Sequence, residues 1–69
     1  MSFNVPTMSD YRVENHLSVV LVTPISQDAK NWIEDNVPGA QWYLHSLVVE
    51  PRYVGDLLGG MQDHGLVQE

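Results

Sequence analysis

His16, His45 and His64 are the side chains, beside the carboxylates, that could ligate a metal or move a proton near neutral pH. A metal site of that kind needs ligands at short, regular spacing, such as two histidines four apart on one helix or a His-Glu pair of the zincin type. Neither pattern occurs. The chain has no cysteine, which excludes thiolate ligands, cysteine nucleophiles and disulfides. Its serines lack the Gly-x-Ser-x-Gly and Ser-x-x-Lys contexts that activate a hydroxyl. Gly59-Gly60 is not followed by the Lys-Ser/Thr of a phosphate loop. These residues predict no catalytic group, no metal, no cofactor and no enzymatic activity.

The carboxylates carry the remaining signal. Nine Asp and Glu stand against three Lys and Arg, at positions 12, 30 and 52, for a net charge of −6 in 69 residues. Three cations cannot neutralise a run of phosphates, so direct binding to nucleic acid is excluded. An apolar fraction of 43% with 17% charged is the composition of a globular chain. At this length it makes one domain with a thin core and no covalent staple, a situation that a dimer or a bound partner relieves. The longest apolar run, Val19 to Val22, falls far short of the ~20 residues that span a bilayer. Met1 to Ser9 has no basic, signal-like start. The expectation is a cytoplasmic protein without membrane association.

The elements that must position these groups follow from periodicity. Residues 1–10 lack any period, contain Pro6 and read as a flexible arm, whose Phe3, Val5 and Met8 are candidates for docking on a partner. Residues 11–69 read as one α+β domain. Tyr11–Glu14 and Leu17–Thr23 are β-type runs around an expected Asn15-His16 turn, and valine on both faces of the second marks a central strand. Thr23-Pro24 and Ser26-x-Asp28 both have the form of a helix start. Ile25, Ala29, Trp32, Ile33 and Val37 then fall at helical spacing, and Pro38-Gly39 ends the helix. Gln41–Glu50 is rich in aromatic and β-branched residues, as one long strand or as a strand bent at His45-Ser46. Pro51 opens a second helix, Val54, Leu57, Leu58 and Met61 form its apolar stripe, and Gly65 stops it with Leu66 folding back on Met61. The order β-β-α-β-α predicts a mostly antiparallel sheet of three or four strands covered on one face by two helices.

On this framework Asp28, Glu34 and Asp35 belong to the outer side of the first helix, and Asp56 and Asp63 to the exposed side of the second. If both helices cover one sheet face, these five residues make one negative layer. A solvated acidic face keeps a small domain soluble, yet here the excess is large and almost unopposed by lysine. Spaced carboxylates can also stand in for phosphates on a basic surface, and the five are the candidate partner-binding residues. Gly55 and Gly59, four apart, let a backbone approach closely, either within the fold or at a subunit interface. Arg52 and Tyr53 are read as structural, pairing a carboxylate and capping the core.

Pro24-Ile25-Ser26, Ala29-Lys30-Asn31-Trp32, Val49-Glu50-Pro51-Arg52-Tyr53 and Gly65-Leu66 form a recognisable series. It resembles a group of small proteins carried by bacteria and their phages, with no assigned activity, which share Pro-x-Ser/Thr, Ala-x-x-Trp, Val-Glu-x-Arg-Tyr and Gly-Leu in that order. The likeness runs from Ser18 to Leu66, rests on capping and packing positions, and implies a fold without catalytic residues. In size and acidity the chain is also similar to anti-CRISPR proteins, several of which act as acidic nucleic-acid mimics. That resemblance implies a phage-type inhibitor whose partner is a protein with a basic, nucleic-acid-binding surface, such as a CRISPR effector subunit. The other reading of the residues is a homodimeric structural or regulatory module.

Overall fold

The computed structural model describes residues 9–69; residues 1–8, most of the expected arm, lie outside the described residues. The elements are β1 Tyr11–His16, β2 Val19–Pro24, α1 Gln27–Asn36, β3 Gln41–Tyr43, β4 Ser46–Val49 and α2 Pro51–Asp63. The strands form one antiparallel sheet in the order β1-β2-β4-β3, an α+β fold of the expected kind with four strands. The Gln41–Glu50 region is a hairpin, with Leu44-His45 as its two-residue turn.

The first hairpin turns at Leu17-Ser18, two residues later than Asn15-His16. Both turns would leave Tyr11, Val13, Val20 and Val22 on one face, because the two registers differ by an even number of residues. The later turn adds the pairs Asn15↔Val20 and His16↔Val19 to the ladder. Its conformational cost falls on Leu17, held at φ +36 with its side chain wholly exposed. Leu44 occupies the same place in the second hairpin, at φ +57. Asparagine or glycine is the usual occupant of such a position, so neither turn is advertised by residue type.

Register and burial give the sheet a covered and an open face. Tyr11, Val20, Val22, Leu47 and Val49 line the covered face and form one cluster with Ala29 and Ile33 of α1, Met61 of α2, and Leu66. Both helices therefore lie on the same side of the sheet. They touch directly through Gly60, where a Cβ would stand 3.0 Å from the Trp32 ring. A larger residue there would make the indole give by a few tenths of an ångström.

Local chemistry sets the helix ends. The Ser26 hydroxyl accepts from the Ala29 N–H at 3.1 Å, capping α1. Ala29 and Ile33 are buried and Trp32 and Val37 are half-buried, as the stripe requires, whereas Ile25 stays exposed before the helix begins. Pro51 opens α2 at its first turn, and the other end is a Schellman motif. Gly65 at φ +90 donates to the Gln62 carbonyl, and Leu66 donates to that of Met61. This reversal drives Leu66 into the core and lays the last residues along β1, where Tyr11 and Gln68 form a parallel bridge. Asp10 ties the region together. Its carbonyl accepts from the Ile25 and Ser26 amides, and its carboxylate accepts from the Val67 amide at 2.8 Å. Among the described residues no helix is long and apolar enough to cross a membrane.

Candidate functional site

Asp28, Trp32 and Asp35 stand at i, i+4 and i+7 on α1, one stripe of a helix. Asp56, Gly60 and Asp63 repeat that spacing on α2. Because Trp32 packs on Gly60, the two stripes meet at their middles, and the aspartates flank the seam between the helices. Seven residues of helix rise about 10.5 Å. Along each helix the two aspartates are thus separated by a rise of roughly 10 Å. All four are exposed.

The electrostatics of this layer are one-sided. Among the described residues the two ion pairs are Arg12 with Glu69, beside β1, and Arg52 with Glu50 at 3.6 Å. Neither involves a seam aspartate. Arg52 also lies over the Tyr53 ring, 4.8 Å from its centroid, and Tyr53 is half exposed, so it does not cap the core. The arginines are thus engaged with their own neighbours and leave the seam uncompensated.

Glu34 belongs elsewhere. It lines a groove of about 470 Å³ together with Lys30 of α1, Pro24 and Ile25 before that helix, and Trp42, Leu44 and His45 of the second hairpin. The five candidate residues therefore divide into four aspartates around one seam and one glutamate on the opposite flank of α1.

Gly55 and Gly59 are exposed, with open space where a Cβ would stand, so neither packs closely against the described residues. The glycine that does is Gly60, one residue on. Its position next to the apolar stripe is a signal present in the sequence, but the Trp32 ring it receives comes from another helix. His16, His45 and His64 are all exposed. Among the described residues no three His, Asp or Glu side chains stand close enough to share a metal ion. Two carboxyls away from the seam are held low by structural contacts. Hydrogen bonds from the Ser26 side chain and then from the Val67 amide hold the Asp10 carboxyl below its ordinary value, and Arg12 does the same for Glu69. The helix surface therefore offers exposed carboxylates.

Compared with known protein families, curated proteins and solved structures, the chain matches none of them.

Proposed function

We propose that this chain is a non-enzymatic binding protein whose helix layer engages a basic, nucleic-acid-binding surface of a partner protein. The seam aspartates, Asp28, Asp35, Asp56 and Asp63, take the place of phosphates, and Glu34 contributes from the flank. An inhibitor of anti-CRISPR type, acting on an effector subunit in the cytoplasm of a bacterial host, is the concrete form of this reading. Its main support is the pairing of two identical aspartate spacings around the Trp32–Gly60 contact, with no cation among the described residues paired to them. Unopposed carboxylates also steer a cationic partner from a distance.

The test is capture of CRISPR effector complexes by the immobilised chain, with duplex DNA as competitor. Wild type should retain an effector and release it to DNA or to salt. The variant D28N/D35N/D56N/D63N should lose at least tenfold in affinity while keeping its circular dichroism and melting temperature, and E34Q should lose less. Undiminished capture by the fourfold variant would overturn the reading.

The homodimeric module has one observation of its own. Gly55 and Gly59 weaken α2 by about 1 kcal/mol each relative to alanine, and no contact among the described residues requires them. An intermolecular backbone contact would supply the requirement, and a G59L variant that remained fully associated would remove that support.

A further inference from the structure

The two edges of the sheet are treated differently. The outer edge of β1 is blunted in the ways natural sheets use against edge-to-edge pairing. The Val67 carbonyl accepts from the Asp10 and Tyr11 amides, the Glu69 amide donates to the Tyr11 carbonyl, and Arg12 and Glu14 place charge along the strand. The outer edge of β3 has none of this. Gln41-Trp42-Tyr43 carries no charge, no proline and no bulge, and among the described residues no backbone group pairs with its outer side. In a two-residue hairpin the pair that brackets the turn, here Tyr43↔Ser46, is the hydrogen-bonded one. The Trp42 N–H and C=O consequently point away from β4, into solvent.

The side chains around this edge are those of an interface. Trp42 is 41% exposed, Tyr43 62% and Leu44 80%, with Ile25 beside them across the groove. Four large apolar groups left in water at one border of a small acidic domain call for a partner. Charge selects which partner. A second chain of net −6 is repelled by most of the surface, but the flank of α1 across the groove from Trp42 and Leu44 carries Lys30 and Glu34. Among the described Lys and Arg side chains, Lys30 is the one without an ion pair.

We infer that the β3 edge is a self-association surface, on which a second copy of this chain adds its own β3 antiparallel across a two-fold axis at Trp42. The two Trp42 residues then exchange both backbone hydrogen bonds, Gln41 faces the partner's Tyr43, and the sheet continues through eight strands. The same axis sets α1 antiparallel to its copy on the same side of the sheet. Lys30 then meets the partner's Glu34 and Glu34 meets the partner's Lys30, a reciprocal arrangement that a Lys-Glu pair on facing antiparallel helices produces by symmetry. The aspartate seam lies on the other flank of α1 and remains open in the dimer.

Sedimentation equilibrium of the full chain over a concentration series tests this. Wild type should approach the mass of two chains. W42K, which sets like charges against each other at the axis, and K30E, which leaves only carboxylates facing the partner's flank, should each raise the dimer dissociation constant at least tenfold. The exchange variant K30E/E34K should restore association to within about threefold of wild type, because reciprocity survives the swap. Lys30 and Glu34 are exposed, so the last two variants should keep their fold even if W42K does not. A single-chain mass at every concentration would overturn the inference. So would a dimer indifferent to K30E, an exchange variant that fails to recover, or a dimer split by G59L alone.

Discussion

Tyr11 is the largest side chain that the fold removes wholly from water, and its hydroxyl has no hydrogen-bond partner among the described residues. An unpaired buried hydroxyl costs about 1–3 kcal/mol, whereas the ring contributes apolar burial to the same cluster. Y11F should therefore melt at or above the wild-type temperature, and Y11A should lose about 3–5 kcal/mol in a denaturant titration. A large loss in Y11F would mean that the hydroxyl is satisfied in solution. Asp10 presents the opposite case, a polar group whose partners all form on folding. Because the Ser26 side chain, the Val67 amide and, for Glu69, Arg12 depress these carboxyls, the folded state favours their charged forms. The contribution is complete above the ordinary carboxyl range and is lost as pH falls through the lowered folded-state values. Melting temperature should drop with acid from about pH 5 downwards, and D10N should start lower and show a shallower slope. An identical acid profile for D10N would remove Asp10 from that role.

At the scale of the elements, the three glycines of α2 separate by environment rather than by spacing. Gly55 and Gly59 face open space, so alanine brings helix propensity without a clash. G59A should stabilise the domain by about 0.4–1 kcal/mol. G60A gains the same propensity but sets its methyl against the Trp32 ring at 3.0 and 3.2 Å, so α1 must shift or the indole must turn. It should fall below G59A in a chemical melt, with altered tryptophan fluorescence as the seam opens. Equal stability of the two variants would show that the helices are not held by this contact. The hairpins follow a related logic. Leucine at positive φ in both turns is a local conflict that the ladder overrides, since each extra strand pair adds backbone bonds and covered-face burial.

For the whole molecule, unopposed charge acts on folding and on binding with opposite signs. A net charge of −6 confined to a 69-residue chain destabilises the compact state by self-repulsion, and added salt screens it. The melting temperature should rise as sodium chloride is increased from about 20 to 500 mM, while capture of a cationic partner should weaken over the same range. A protein whose acidity served solubility alone would show the first response without the second. Architecture makes the separation feasible. The sheet edge beside β3, the aspartate seam and the tail beside β1 lie on three different borders, so each can be altered while the shared core of Tyr11, Val22, Ile33, Leu47 and Met61 is left intact.

Near-neighbour physics was legible in the residues. Ser26 before Ala29, Pro51 at the start of α2, and Gly65-Leu66 after Met61 determined caps and a helix reversal whose partners lie within a few positions. Apolar periodicity likewise determined the helix stripes and the class of the fold. Tertiary structure alone decided which separated residues meet. The Asp28 and Asp56 spacings are both in the sequence, but they become one surface only because Trp32 reaches Gly60 across two helices. The later hairpin turn, the bare edge of β3 and the transfer of Glu34 to the hairpin groove are of the same kind. Each is fixed by burial summed over strands and helices far apart in the chain, and no local preference encodes that sum.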